Sequence, residues 1–316
     1  MKNRLLAVLL LILLFSFCSC FAFPKDEISV TFDLGNGTKE TRIIKTNEPI
    51  VYPSLPTIEN YAHVGWFYDS DGKRPVGENA TLDADTTLYS LWMYDYAGVT
   101  NEICTDYIRM NLLIKATSFN TRFGLVVSEL TSVGSGVIFA EDASYYYCLT
   151  NQHVAEKKSG YESIEISVED CYGNEYGATV EYYDSSYDLA VLRFRKGKNE
   201  LRVATLADVQ CDVGDIVINL GQPEGVKNAV TYGHVTGYDK LVSSIDGKEK
   251  SDVDFEVMCH NAPINHGSSG GAVLNDALEL VGINFAVGED ADKKIIYAYS
   301  IPLDKIREFL KDYKAK

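Results

Sequence analysis

The sequence predicts a mainly β chain, and three observations carry that expectation. Short runs rich in Val, Ile, Tyr, Phe and Thr recur between turn residues; Ile28-Ser29-Val30-Thr31-Phe32-Asp33 alternates with the two-residue period of a half-buried strand. His153 and Asp188 each sit at the edge of such a run. The third observation is Asn265-His266-Gly267-Ser268-Ser269-Gly270-Gly271, a serine inside a glycine frame. Glycines there permit tight turning with positive φ and close approach of a ligand to the backbone. One helix is expected, from Asp304 to about Tyr313.

The first element is an export signal. Met1-Lys2-Asn3-Arg4 is basic, and Leu5 to Phe17 is apolar apart from Ser16. Three fates are open for residues 1–24: cleavage after Ala22, lipidation of Cys20 in the lipobox-like Phe17-Cys18-Ser19-Cys20, or retention as an anchor. The last is open because residues 5–24 lack charge and about 20 apolar residues span a bilayer. The expected location is extracytoplasmic, secreted or held at the cell surface, with membrane contact only through this segment.

Residues 27–93 read as a separate small domain. After the strand at Ile28 come a turn signal, Gly35-Asn36-Gly37-Thr38, and a proline-bounded stretch, Tyr52-Pro53-Ser54-Leu55-Pro56. Gly65-Trp66-Phe67-Tyr68 and Asp85-Thr86-Thr87-Leu88-Tyr89-Ser90-Leu91-Trp92 complete it. These motifs resemble one copy of the Listeria–Bacteroides (internalin-type B) repeat. The resemblance implies a small β-grasp-like domain of bacterial surface proteins and leaves a cell-surface ligand open as its partner. Trp66, Phe67 and Trp92 read as its core, since a domain this small needs large aromatics inside. Residues 94–104 are expected to be a linker, and 105–316 the second domain.

In the second domain the glycine frame alone is ambiguous, because it also fits the G-x-S-x-G nucleophile elbow of α/β-hydrolases. The elbow needs a histidine after the serine. The five histidines are His63, His153, His234, His260 and His266, and none follows Ser269. Only a His, Asp, Ser order is available, the chymotrypsin order. His153 ends the strand-like Tyr145-Tyr146-Tyr147-Cys148-Leu149-Thr150-Asn151-Gln152-His153; alone it would read as a solvent-facing histidine. Asp188 opens Asp188-Leu189-Ala190-Val191-Leu192; alone it would read as a turn residue. Asp184 competes with it but lies in a polar segment that does not enter a strand. Taken together, Ser269 is the candidate nucleophile, His153 the base and Asp188 its orienting acid. The amides of Gly267 and Ser269 could converge on a developing oxyanion.

These segments resemble the trypsin-like serine proteases, and within them the HtrA (Deg) branch, over about residues 105–305. Gly134-Ser135-Gly136-Val137-Ile138, Leu149-Thr150-Asn151-Gln152-His153-Val154 and Asp188-Leu189-Ala190-Val191-Leu192 match the branch's motifs in order. So do Val213-Gly214-Asp215, Leu220-Gly221-Gln222-Pro223-Glu224-Gly225 and Leu280-Val281-Gly282-Ile283-Asn284. The resemblance implies two perpendicular six-stranded β-barrels, chymotrypsin-like, with the site in the cleft between them. It implies a serine endopeptidase acting on protein or peptide substrates through an acyl-enzyme, with no cofactor and no metal. The alternative is a non-catalytic surface binding protein that uses the repeat domain and keeps the barrels as a scaffold.

Some residues depart from the branch. His266 stands where proline is usual, and Phe285 lies near the position of a hydroxyl that supports the buried aspartate in many relatives. Pro263, six residues before Ser269, replaces the aspartate of an Arg/Lys pocket. Pro263, His266, Ile283 and Phe285 are the expected substrate-binding residues, with small or medium aliphatic side chains preferred next to the cleaved bond. No PDZ domain is expected after the helix.

A formal net charge of −16 argues against nucleic acid or an anionic membrane face as partner. Of seven cysteines, Cys18 and Cys20 fall in the export segment. Cys104, Cys148, Cys171, Cys211 and Cys259 form no C-x-x-C pair, which argues against a zinc site or a dense disulfide framework. They read as free thiols, with one bridge left open.

Overall fold

The computed structural model describes residues 26–223, 226–241, 243–245, 248–250, 253–289 and 295–315. The expected export segment lies outside these residues, as do Glu224 and Gly225. The chain divides into two compact units, one ending at Asp95 and the other beginning at Tyr96.

The first unit is a four-stranded sheet of β1 (Glu27–Asp33), β2 (Lys39–Lys45), β3 (Tyr61–Phe67) and β4 (Thr86–Tyr94), in the order β2-β1-β4-β3. The central pair β1–β4 is parallel and the outer pairs are antiparallel. Alternation in β1 sends Ile28, Val30 and Phe32 into the core, where Phe32 meets Trp66 edge-on at 5.3 Å. Trp66 is buried. Phe67 and Trp92 are half-buried, and the Trp92 indole donates to Leu34 O at 2.9 Å.

The second unit opens with helix α1 (Tyr96–Thr105), which takes up most of the stretch expected to be a linker. Val99 and Ile103, four residues apart, bury one face of it, and Thr100 bonds the Tyr232 hydroxyl at 2.6 Å. A short 3₁₀ turn, Tyr107–Met110, leads into the first barrel. That barrel is closed by β5 (Asn111–Arg122), β6 (Leu125–Glu141), β7 (Tyr145–Asn151), β8 (Ser163–Glu169), β9 (Glu175–Asp184) and β10 (Leu189–Arg195) in the order β10-β7-β6-β5-β8-β9. Helix α2 (Gln152–Ala155) is a single turn after β7.

The second closed barrel contains β11 (Ile216–Gly221), β12 (Ala229–Lys240), β15 (Glu256–His260), β16 (Ala272–Leu274), β17 (Leu280–Glu289) and β18 (Ile295–Pro302). A separate ribbon, β13 (Ser243–Ile245) with β14 (Lys248–Lys250), branches between β12 and β15. Closure pairs the strands around each ring and leaves few open edges. Both barrels are filled by inward apolar residues, among them Ile114, Val137, Leu149 and Val191 in the first and Val217, Val273 and Val281 in the second.

Helix α3 (Leu303–Lys314) follows β18 and buries Ile306, Phe309 and Leu310. Its aromatic residues reach the first barrel: Phe309 stacks on Tyr182 at 5.1 Å and meets Tyr187 at 6.1 Å. Tyr187 directly precedes Asp188, so the helix braces the turn that carries it. Cys104, Cys148, Cys171, Cys211 and Cys259 are all free, and burial pushes the Cys148 and Cys211 thiols up to about 12.

Candidate active site

Strand β7 ends at Asn151, and His153 falls in the short helix that follows. Asp188 is the residue before β10 and is held at a φ of 49°, a left-handed value that aspartate tolerates better than most residues. The two segments join at four points. His153 Nδ1 lies 2.6 Å from Asp188 Oδ2, and the His153 backbone N–H donates to Oδ1 at 2.9 Å. The Asp188 carbonyl accepts from Gln152 N–H at 3.0 Å and from Asn151 Nδ2 at 3.1 Å. The carboxylate is buried while the imidazole stays 42% exposed, so the acid is shielded and the base can reach a ligand. An acceptor on Nδ1 selects the tautomer with the proton there, leaving the Nε2 lone pair free. Asp184 is occupied elsewhere, accepting from the Ser186 N–H at 2.8 Å and the Ser186 hydroxyl at 2.6 Å.

The glycine frame folds as a chain of tight turns. Ser268 N–H donates to Asn265 O and Gly271 N–H to Ser268 O, both at 2.9 Å. Gly267 has a φ of 93° and Gly270 of 84°. A side chain at Gly270 would collide with Ser135 O and the Thr150 hydroxyl, so the loop approaches the first barrel more closely than any other residue allows. Reciprocal bonds at 2.9 Å between Gly270 N–H and Asn284 O, and between Asn284 N–H and Gly271 O, tie it to β17. The frame holds two adjacent serines, and their surroundings differ. Ser268 is buried and its hydroxyl accepts from Asn265 N–H at 3.3 Å, whereas Ser269 is half-exposed.

Ser135 is the residue that sequence reasoning left without a role, although the Gly134-Ser135-Gly136 motif marked its strand. It is fully buried; its N–H donates to Ser269 O and its hydroxyl to Gly267 O, both at 2.7 Å. The same hydroxyl accepts from Gln222 N–H at 2.9 Å. Among the described residues, the Gly267 and Ser269 amides donate to no group, which leaves both available to a ligand. None of the described hydrogen bonds joins His153 Nε2 to the Ser269 hydroxyl. Such contacts are often long before substrate arrives.

The expected substrate-binding residues lie in different settings. Pro263 and His266 are exposed on the segment leading to Ser269. Ile283 is fully buried, paired with Ala272 and Ile301 inside the barrel wall, and Phe285 is nearly so. Among the described residues, no hydroxyl bonds the Asp188 carboxylate; its partners are the two His153 nitrogens.

Residues 134–283 match the trypsin-like peptidase domain family. The chain carries a trypsin-like peptidase domain. Residues 29–90, ahead of the peptidase domain, match the Listeria-Bacteroides repeat domain. The chain is similar to serine protease HTRA4 of Mus musculus, 28% identical over 278 residues, with 87% of this chain and 53% of that protein covered. It is similar to the serine protease Do-like HtrA of Bacillus subtilis, 34% identical over 212 residues, covering 64% of this chain and 45% of the relative. The periplasmic pH-dependent serine endoprotease DegQ of Escherichia coli is 31% identical over 175 residues, covering 55% and 36%. The chain therefore spans about half or less of these relatives. A solved HtrA-type protease with a decapeptide shares the fold, with a TM-score of 0.51 at 23% identity, covering 67% of this chain and 65% of that one.

Proposed function

We propose that the peptidase domain is an active serine endopeptidase working outside the cytoplasm, in processing, degradation or quality control of proteins at the bacterial cell surface. The observation that carries this reading is the doubly bonded His153–Asp188 pair together with the unoccupied amides of Gly267 and Ser269. Ser269 Oγ attacks the scissile carbonyl carbon as His153 Nε2 takes its proton, and Asp188 stabilises the imidazolium that forms. The carbonyl oxygen, now negative, receives the Gly267 and Ser269 N–H groups. Collapse breaks the C–N bond; His153 returns the proton to the leaving amine and an acyl-enzyme remains. Water then repeats the sequence, losing a proton to His153, and releases the carboxylic acid product and free Ser269.

Export is supported by the basic and apolar N-terminal sequence and by the periplasmic relative. Substrate is proposed to be protein or peptide, with small or medium aliphatic residues next to the cleaved bond. The test is labelling by a fluorophosphonate probe, with Ser269→Ala as control. Labelling that the substitution abolishes supports the reading; a folded protein that never labels overturns it in favour of a binding role for the repeat domain.

A further inference from the structure

In the first unit the central strand β4 outruns its parallel neighbour. β1 ends with Asp33 opposite Tyr89, while β4 continues to Tyr94 with β3 on its other side. Among the described residues, no strand pairs with residues 90–92 on the β1 side. The chain turns there instead, through Gly35 at a φ of 77°. A notch of about 490 Å³ fills the place a strand would take, a volume within the range of small-molecule sites.

The lining joins aromatic rings to short polar groups. Tyr61, Tyr89 and Trp92 supply the rings, all half-buried, and Asp33, Ser70 and Ser90 the polar groups. Two of the rings are held in place. The Trp92 indole donates to Leu34 O at 2.9 Å, stands 5.3 Å from the His63 ring, and lies so near Gly35 that any side chain there would collide with it. Tyr61 meets Tyr94 edge-on at 5.3 Å. Rings already ordered lose little freedom when a ligand covers them. Ser90 supplies an independent sign of a ligand. It is only 4% exposed, yet its hydroxyl has no hydrogen-bond partner among the described residues. Leaving a buried hydroxyl unpaired is costly, and a ligand hydroxyl entering the notch would complete it.

The chemistry of the lining narrows the ligand. No Lys, Arg or His lines the notch, so nothing there neutralises a phosphate or a carboxylate. The Asp33 carboxylate is paired with Lys39 at 3.1 Å and accepts from the Gly35 N–H at 3.2 Å, which leaves it an oriented acceptor with little pull on a free cation. A neutral ligand with apolar faces and many hydroxyls fits these groups best. A pyranose ring has both: its C–H groups pack on an aromatic face, and its hydroxyls donate to a carboxylate and exchange hydrogen bonds with serines. We propose that the notch beside residues 90–92 binds a neutral saccharide, one or two rings of which its volume accommodates. The inference goes beyond the peptidase reading and does not rest on it, because every group it uses belongs to the first unit.

The test uses the full chain and the neutral probes cellobiose, chitobiose, lactose and maltose, titrated to about 10 mM and followed by saturation-transfer NMR. At least one probe is expected to bind with a Kd of about 1 mM, its saturation strongest on the C–H protons of one ring face. Ser90→Ala should raise that Kd about tenfold, the loss of one hydrogen bond. It should leave the melting temperature unchanged or higher, because the hydroxyl it removes has no partner in the free protein. Tyr89→Leu keeps apolar bulk, removes a ring face, and should weaken binding by about the same factor. Melting curves check that both variants fold, and the proton map needs no variant at all. Absence of saturation from every probe overturns the proposal. So does a Kd that neither substitution changes, which would put the sugar elsewhere on the chain. Binding of choline chloride where the sugars fail also overturns it, since the rings and Asp33 would then be a cage for a cation. Sugar binding by a chain that takes no fluorophosphonate would uphold the notch and overturn the peptidase reading alone.

Discussion

The hydroxyl of Ser135, on a strand of the first barrel, donates a 2.7 Å hydrogen bond to the carbonyl of Gly267, in the loop carried by the second. That bond sets the peptide beside one of the two candidate oxyanion donors. Ser135→Ala should leave KM nearly unchanged and lower kcat by about tenfold or more, since the contact serves transition-state geometry over ground-state binding. Steady-state kinetics on one peptide substrate separates the two constants; a change confined to KM would oppose this role.

Asp188 and His153 form the other half of the site. Asp188→Asn keeps the shape but puts an amide against Nδ1, which favours the wrong imidazole tautomer. The expected loss is about 10⁴-fold in kcat, by analogy with the same change in trypsin. The melting temperature should move little, which distinguishes a tautomer effect from unfolding.

Gly270 tests the close approach of the loop to the first barrel. Gly270→Ala meets both a φ of 84° and a collision with Ser135 O and the Thr150 hydroxyl. A destabilisation of about 3 kcal/mol or more is expected, read from urea unfolding, with fluorophosphonate labelling lost in parallel.

His260 predicts how stability depends on pH. It is fully buried in the second barrel, 2.9 Å from the Ser300 hydroxyl, and burial lowers its pKa from 6.5 to about 4. Above about pH 6.5 neither state holds the proton and the group contributes no pH dependence. As pH falls from 6.5 towards 4 the unfolded chain protonates first, so folding loses about 3 kcal/mol across that window. Urea midpoints at pH 7 and pH 4.5 check this, with His260→Gln expected to flatten the slope between them.

The local settings of the candidate site residues were legible in the sequence because they rest on residue type, order and local turn demands. No histidine follows Ser269, and Gly267 and Gly270 of the frame take the positive φ values that the sequence suggested, while Gly271 does not. Strand ends at Asn151 and Leu189 place His153 and Asp188 where composition put them. The helix near the C-terminal end was legible too, within a residue or two of Asp304 and Tyr313.

Tertiary structure alone decided how distant segments use one another. Ser135 reaches Gly267 across 132 positions of chain, and no local pattern encodes that contact. Burial separates the adjacent serines of the frame, Ser268 enclosed and Ser269 half-exposed, and encloses Ile283 in the barrel wall. It also turned most of the expected linker into a helix that packs Thr100 against Tyr232. Residue identity and spacing set local conformation and available chemistry. Barrel closure sets which backbone edges, hydroxyls and carbonyls meet, because those contacts exist only once strands far apart in the chain have paired.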